Sequence, residues 1–217
     1  WLNDGSGGFD ASAHDTFGPG GTGVALGDVD GDGDLDVVVI GYGQEVWLND
    51  GSGNFGAAPY DTFDNSTCPA RLALGDLDGD GDLDAVVART CGISTRTWLN
   101  DGSGDFGPSS HDAFGSEYSA EIALGDVDAD GDLDCVVAGH TTTTQRVWLN
   151  DGDGRFGPAA YTRFGTSNST SVALGDVDGD GDLDAIVVKG NYDPQPHEVW
   201  LNQLWVVHLP LVVRAAP

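Results

Sequence analysis

The chain has 217 residues, of which 36 are Asp or Glu and 8 are Lys or Arg, so its formal net charge is −28 at pH 7. This balance argues against nucleic-acid binding, since phosphates require a basic surface, and against an anionic membrane surface. The longest apolar run, residues 204–213, contains a His and a Pro and is too short to span a bilayer, so no membrane insertion is expected. Thirty-four glycines indicate many tight turns and therefore many short strands.

A unit of about 50 residues recurs four times, which is typical of a repeat architecture. Ala-Leu-Gly-Asp begins at residues 25, 73, 123 and 173, and Trp-Leu-Asn begins at residues 1, 47, 98, 148 and 200. The first four Trp-Leu-Asn strings are each followed by an Asp-Gly-x-Gly-x-Phe hairpin signal, which ends at Phe9, Phe55, Phe106 and Phe156. No helical period is present between these marks.

Each unit predicts four strands in chain order. Strand A ends at Ala-Leu-Gly, strand B is the β-branched run after an Asp-rich loop, strand C carries Trp-Leu-Asn, and strand D starts near the repeated Phe. A four-stranded unit repeated radially is a β-propeller blade, and one large aromatic residue per unit is expected between blades. We therefore predict an all-β fold, a β-propeller of four four-stranded blades over residues 1–202, with an apolar tail at residues 203–217. A β-sandwich would give no reason for the repeat.

The loop between strands A and B has five aspartates in every unit, at residues 28–36, 76–84, 126–134 and 176–184. Carboxylates at positions 1, 3 and 5 converge, glycine at position 6 permits a sharp turn, position 7 can offer its carbonyl, and position 9 adds another carboxylate. This number of hard oxygen ligands suits Ca²⁺ better than Mg²⁺. We expect about four calcium ions, held by Asp28, Asp30, Asp32, Asp34, Asp36, Asp76, Asp78, Asp80, Asp82, Asp84, Asp126, Asp128, Asp130, Asp132, Asp134, Asp176, Asp178, Asp180, Asp182 and Asp184.

These loops are not EF-hands. An EF-hand loop lies between helices and has a bidentate Glu at position 12. Position 12 is valine in all four loops, and each valine falls inside a predicted strand: Val39, Val87, Val137 and Val187.

The unit resembles the FG-GAP repeat of integrin α-subunit propellers, and more closely the bacterial repeats called VCBS or FG-GAP-like. The resemblance rests on Gly-Asp-Val-Asp-Gly-Asp-Gly-Asp-Leu-Asp at residues 27–36 and its copies, and on the Leu-Asn-Asp-Gly-Ser-Gly-x-Phe hairpin. It covers residues 1–202 and implies a cation loop between the first two strands of each blade. Seven blades are usual in that family, so four copies either close alone or belong to something larger.

The predicted topology places the A–B loops and C–D turns on one face, and the B–C and D–A loops on the other. The second face varies between units and holds four of the eight cations, Arg89, Arg96, Arg146 and Lys189. Because loops on a rigid scaffold often carry binding functions, this face is the candidate site for a glycan or protein ligand. The alternative is ordinary drift of solvent-exposed loops. Two glycosylation signals, at Asn65 and Asn168, fall in its D–A loops.

No catalytic group stands out, so no enzyme activity is expected. The five histidines occupy unrelated places in the unit, and no spacing indicates a catalytic triad: His14, His111, His140, His197 and His208.

The cysteines predict one disulfide. Cys68 precedes strand A and Cys91 follows strand B of the same unit, so the two lie almost opposite each other across the open end of that hairpin. A disulfide indicates an oxidising compartment. Cys135 occupies a strand-B position and is expected to be a buried free thiol.

These features predict a secreted, extracellular or cell-surface calcium-binding propeller with a structural or adhesive role, as a self-assembling surface or fibre subunit. The alternative is a lectin-like glycan-binding module. Residues 1–17 carry an additional C and D strand that can complete the fourth blade. The tail at residues 204–213 then either covers its own blade or adds to a neighbouring subunit, and we predict homo-oligomerisation through this tail.

Overall fold

The computed structural model describes residues 12–41, 43–66, 68, 70–115, 118–140, 143–166, 168–190 and 195–203. These residues contain fifteen β-strands in four antiparallel sheets, one sheet for each repeat. We call the sheets blades 1 to 4 in chain order. In the described ranges, no helix has the length and apolar character needed to cross a membrane.

The strands follow one another as neighbours within each blade. Blade 1 contains β1 (Gly23–Gly27), β2 (Asp36–Ile40), β3 (Gln44–Trp47) and β4 (Asp61–Phe63). Blade 2 contains β5 (Ala70–Gly75), β6 (Asp84–Arg89), β7 (Thr95–Trp98) and β8 (Asp112–Phe114). Blade 3 contains β9 (Ser119–Gly125), β10 (Asp134–Gly139), β11 (Gln145–Trp148) and β12 (Thr162–Phe164). Blade 4 contains β13 (Ser169–Gly175), β14 (Asp184–Lys189) and β15 (Glu198–Trp200).

The predicted all-β propeller fold and the Asp-rich loop between the first two strands of each blade are confirmed. The fourth blade differs from the prediction, because its described part has three strands rather than four. The segment predicted to complete it, residues 1–17, lies outside the described residues up to residue 11. Its described part does not pair with β15; Phe17 instead packs on Trp47 of blade 1, with ring centroids 5.2 Å apart.

Strand D begins a few residues later than the repeated Phe near which it was predicted. The fourth strands are only three residues long and begin six residues after Phe55 and Phe106. Gly56 and Gly107, immediately after these phenylalanines, have positive φ values of 74° and 69°, so the chain turns there before the strand begins.

The hydrophobic core lies between blades rather than within a sheet. The fourth-strand Phe63 of blade 1 packs on Trp98 and Phe106 of blade 2, with centroids 5.5 and 4.7 Å apart. Phe114 makes the corresponding contacts with Trp148 and Phe156 between blades 2 and 3. The repeated aromatic residues therefore join neighbouring blades, as their fixed phase predicts.

Candidate metal centres

Each Asp-rich loop follows directly from the innermost strand and turns back into the second strand. Glycines at positions 4 and 6 adopt left-handed backbone conformations, with φ of 72° at Gly31 and 96° at Gly33 in the first loop. In the third loop, position 4 is Ala129, which still has a φ of 62°. Because a left-handed alanine is disfavoured, the surrounding loop must impose this conformation.

Carboxylates converge in all four loops. In each loop, three aspartates offer one oxygen apiece within 4.8 Å of one another. Calcium–oxygen distances of about 2.3–2.6 Å place two ligands up to about 5 Å apart across one ion, so the spacing fits a shared cation. The triads are Asp28, Asp30 and Asp32; Asp76, Asp78 and Asp84; Asp126, Asp128 and Asp134; and Asp176, Asp178 and Asp184.

The position-1 carboxylate also shapes the loop. One of its oxygens accepts a hydrogen bond from the position-6 glycine N–H, as Asp28 does from Gly33 at 3.0 Å. The other oxygen of Asp28 is buried without a hydrogen-bond partner among the described residues, and so is one oxygen of Asp128, the position-3 aspartate of the third loop. A buried anionic oxygen without a partner is costly, and a cation at the centre of the triad would satisfy it.

The position-9 aspartate connects three parts of the blade. The carboxylate of Asp84 is buried and accepts bonds from the N–H groups of Leu77 and Asn100, both at 2.8 Å. It therefore holds the loop against the third strand. The same pair of bonds recurs at Asp36, Asp134 and Asp184. Burial raises the pKa of Asp84 and of Asp134 to about 6, although these hydrogen bonds lower it.

The structure brings together twelve of the twenty predicted ligands. The eight outside the triads are the four position-7 aspartates and Asp36, Asp80, Asp130 and Asp180. The Asp34 carboxylate lies against the C–D turn, where a Cβ added to Gly51 would be 2.6 Å from one of its oxygens. Asp82 and Asp132 meet Gly102 and Gly152 in the same way. The predicted placement of the Asp-rich loop and the C–D turn on one face agrees with this contact.

The asparagine that follows Trp-Leu in each repeat was not identified from the sequence as a functional residue. Asn100, from the Trp-Leu-Asn string of blade 2, donates its side-chain N–H to the carbonyl of Val29 in the loop of blade 1, at 2.7 Å. Asn150 and Asn202 make the same bond to the loop of the preceding blade. The fixed recurrence of this Asn after Trp-Leu was the signal that could have identified it.

The opposite face is less cationic than the sequence suggested. Arg89 and Lys189 are buried at the ends of β6 and β14 rather than exposed in B–C loops. Arg89 pairs with Asp64, and Lys189 lies 3.3 Å from Glu198. Both cations are therefore neutralised inside the blades, because neighbouring segments cover the strand ends on this face. Arg96 and Arg146 are half-buried.

Two histidines occupy equivalent positions, which corrects the expectation that all five are unrelated. His14 Nε2 lies 3.0 Å from the carbonyl of Ser52, and His111 Nε2 lies 2.9 Å from that of Asp153. Both contact the C–D turn of the following blade. Their repeated role is a contact between blades.

The cysteines and glycosylation signals lie on the opposite face or in a strand. Cys68 and Cys91 are joined by a disulfide with their Cα atoms 6.3 Å apart. Cys135 is a free cysteine in β10, and burial raises the pKa of its thiol. Asn65 is exposed, whereas Asn168 is half-buried and has a φ of 70°.

The sequence matches the FG-GAP-like repeat family over residues 28–87 and 126–187. The chain belongs to this family. Each matched region spans at least one Asp-rich loop and the second strand that follows it. A comparison with curated proteins found no match.

Two solved structures are similar to this FG-GAP-like repeat chain. One is an Agrocybe aegerita lectin described as specifically recognising non-reducing terminal N-acetylglucosamine, with a TM-score of 0.56 and 24% identity. The match covers 82% of this chain and 52% of the lectin chain, so the chain spans about half the lectin's length. The other is the V. cholerae biofilm matrix protein Bap1, with a TM-score of 0.43, 18% identity, and coverage of 76% of this chain and 27% of that one.

Proposed function

We propose that this chain is a secreted calcium-binding propeller domain with a structural or adhesive role, which acts as a self-assembling subunit. The observation that carries the proposal is the recurrence of a carboxylate triad in all four Asp-rich loops. Twenty of the 36 acidic residues lie in these loops. Without a cation, each loop holds five like charges close together, which is unfavourable at any protein dielectric.

Calcium fits this donor set best. All the converging side chains are carboxylates, and calcium takes six to eight oxygen ligands in flexible geometry, whereas magnesium gives up its water reluctantly. Four ions would offset 8 of the 28 excess negative charges. In the second, third and fourth loops the position-9 aspartate belongs to the triad and also accepts an N–H group from the segment just after the third strand, so a bound ion would hold the loop to that segment.

Secretion is supported by the Cys68–Cys91 disulfide, because disulfides persist in oxidising compartments. Assembly through the tail at residues 203–217 stays a prediction, since residues 204–217 lie outside the described part of the chain.

We also propose Asn65 and Asn168 as glycan acceptors. Intact-mass measurement before and after enzymatic removal of N-glycans tests this, and the exposed Asn65 is expected to be the more fully occupied site.

Calorimetric titration of the calcium-free chain tests the calcium proposal. We expect about four ions per wild-type chain and about three for Asp78→Asn, which removes a carboxylate from the second triad. The matched control is Asp153→Asn, which removes one exposed negative charge outside the loops and should leave the stoichiometry at four. A wild-type chain that binds no calcium would contradict the proposal.

The second candidate function is glycan binding on the face opposite the Asp-rich loops. A hollow of about 270 Å³ lies there, with Thr22, Arg71 and Glu121 as polar lining and Val24 and Leu72 as apolar lining. Arg71 also donates to the Ala120 carbonyl at 3.0 Å, which holds its side chain beside the hollow. The likeness to the N-acetylglucosamine-binding lectin makes glycans terminating in this sugar the first probe.

Titration with such a glycan tests this second candidate. We expect measurable binding to the wild type, at least tenfold weaker binding to Arg71→Ala, and unchanged binding to Arg155→Ala, whose side chain is exposed elsewhere. No binding to the wild type, or equal binding to both variants, would contradict it.

A further inference from the structure

The joint between consecutive blades is built the same way three times. At the first joint, the Leu74 and Leu83 side chains of blade 2 lie over Gly27 of blade 1, so close that a Cβ added at Gly27 would be 2.6 Å from Leu83 Cδ1. Leu124 and Leu133 cover Gly75, and Leu174 and Leu183 cover Gly125. Each joint therefore needs a glycine on the earlier blade and a leucine pair on the later one.

The two ends of the blade series carry the two unused halves of this joint. On blade 1, Val24, Leu26 and Leu35 are 65%, 61% and 58% exposed, although Leu26 and Leu35 correspond to Leu74 and Leu83. We call these three residues the leading face. On blade 4, no described atom lies within 4 Å of a Cβ added at Gly175. Gly175 and the exposed Val177, Ile186 and Val188 beside it form the trailing face.

The asparagine bond between blades is also unused at the two ends. Among the described residues, the Asn49 side chain of blade 1 donates only to the carbonyl of Leu35 in its own loop, at 3.1 Å. Asn100 donates to the equivalent Leu83 carbonyl and, in addition, to the carbonyl of Val29 in the preceding blade. On blade 4, the residue that corresponds to Val29 is Val177, and Val177 is exposed. A donor is therefore available at one end of the series and an acceptor at the other.

Residues 14–17, which we call the outer segment, contact blade 1 as a fourth strand contacts the next blade. Asp15 accepts a bond from the Phe55 N–H at 2.9 Å, as Asp61 accepts one from Phe106 at 3.0 Å. Phe17 lies on Trp47 and Phe55 as Phe63 lies on Trp98 and Phe106. The outer segment has no sheet of its own among the described residues, whereas blade 4 lacks a fourth strand there.

We propose that two copies of this chain associate head to tail, with the trailing face of one copy on the leading face of the next. In the contact, Leu26 and Leu35 of one copy cover Gly175 of the other, and the outer segment adds to the edge of β15 that has no partner strand among the described residues. The pairing register of the first three blades places Asp15 opposite Val199 and Phe17 opposite His197. The fourth blade then has four strands, and the interface continues the joint already present three times within the chain.

This association deepens the proposed self-assembling role and rests on it. The interface is heterologous, because the two faces differ, and such contacts form closed rings of two or more copies, or open filaments. The net charge of −28 on each copy opposes the contact, so salt and bound calcium should both promote association. Association that strengthens with added salt indicates an apolar contact, because attraction between opposite charges would weaken with added salt.

Sedimentation analysis of the full chain in calcium tests the proposal. We expect the average mass to rise with concentration beyond that of one 22.4 kDa chain. Leu26→Glu/Leu35→Glu on the leading face and Gly175→Leu on the trailing face should each give monomers at every concentration. Ile93→Glu is the matched control, because Ile93 is an exposed apolar residue away from both faces, and it should associate like the wild type.

Mixing the two disabled variants tests the polarity of the contact. Each retains the face that the other has lost, so an equimolar mixture should form one two-chain complex and nothing larger. Monomeric wild type, association of either variant alone, or a mixture that stays monomeric would overturn the proposal. The substituted residues are exposed or open, and unchanged circular dichroism melting curves should show that both variants fold.

Two further measurements keep this inference separate from the proposals above. Calcium stoichiometry of the wild type, measured at concentrations where it is monomeric, tests the calcium-binding role without reference to association. Deleting residues 204–217 should leave the mass increase in place, and its loss would assign association to the tail and overturn the inference.

Discussion

The two faces of the blades are held together by different chemistry. On the face with the Asp-rich loops, three carboxylates converge in each loop. A position-9 carboxylate such as that of Asp84 accepts N–H groups from the loop and from the residue two positions after the third strand. On the opposite face, a disulfide joins Cys68 to Cys91, and buried pairs join Arg89 to Asp64 and Lys189 to Glu198. We propose that the first set depends on a cation from solution, whereas the interactions of the second set lie within the chain. If calcium binds the triads, one end of the strands is stabilised by metal and the other end is stabilised without it.

Removing calcium should have the largest effect and should act on one face. At a free calcium concentration of 100 times Kd, each site contributes about 2.7 kcal/mol, so four sites contribute about 11 kcal/mol. This is comparable to the whole stability of a typical domain, about 5–15 kcal/mol. We expect excess chelator to lower Tm by tens of degrees in calorimetry, and amide exchange to rise first in the Asp-rich loops. An unchanged melting curve in chelator would remove the basis of the comparison.

On the opposite face, Arg89→Ala should be the most damaging single substitution. It would leave Asp64 buried without its partner, which costs about 3–5 kcal/mol. Urea unfolding in saturating calcium measures this, and the loss should persist in chelator because it is independent of the metal. Arg155→Ala is the control: its pair with Asp153 is exposed, and its loss should cost about 1 kcal/mol or less. Equal losses for both variants would mean that burial of the pair contributes nothing.

Replacing both Cys68 and Cys91 by alanine should cost somewhat less. A disulfide across 23 residues is expected to contribute about 3 kcal/mol, mainly by constraining the unfolded chain. The midpoint of urea unfolding should fall, while the calcium stoichiometry stays at about four because the cysteines lie on the other face. Loss of calcium binding in this variant would show that the two faces are coupled.

The pH dependence of stability should reverse its sign with calcium. Without the ion, the pKa of Asp84 and of Asp134 in the folded chain is about 6, above the ordinary value of 3.8, chiefly because of burial. A raised pKa contributes stability that is present below 3.8 and is lost as pH rises through 6. In chelator, Tm should therefore be higher at pH 5 than at pH 7.5. In saturating calcium, ionised carboxylates bind the metal and the order should be the opposite. The same order in both conditions would contradict the metal role.

The smallest effect is expected at Cys135. Its thiol is buried in β10, and burial raises its pKa, so little reactive thiolate forms. Native protein in calcium should resist alkylation by iodoacetamide, and labelling should appear only with unfolding. Rapid labelling in the native state would place Cys135 outside the core.

Most of the loop-bearing face could be predicted from the sequence, because its interactions are local. Carboxylates at positions 1 and 3, glycine at position 6 and the following strand lie within ten residues of one another, so their spacing determines which groups meet. Position 7 was predicted to offer its backbone carbonyl to the metal, and the spacing alone does not show that the Asp34 side chain lies against Gly51.

The opposite face was harder to predict because its interactions join distant segments. Nothing near Arg89 in the sequence shows that Asp64, from the preceding D–A loop, neutralises it. Likewise, the bond from Asn100 to Val29 crosses between blades and 71 residues of sequence. The two open ends were also missed, since only three-dimensional packing shows that Leu74 is covered and Leu26 is not.

A crystal structure of the chain grown in calcium would test the central claim most directly. The account predicts one ion in each Asp-rich loop, coordinated by the position-1 and position-3 carboxylates, such as Asp76 and Asp78. Anomalous scattering at a long wavelength would identify the ions as calcium. Loops that contain only water at saturating calcium, with the blades still folded, would contradict it.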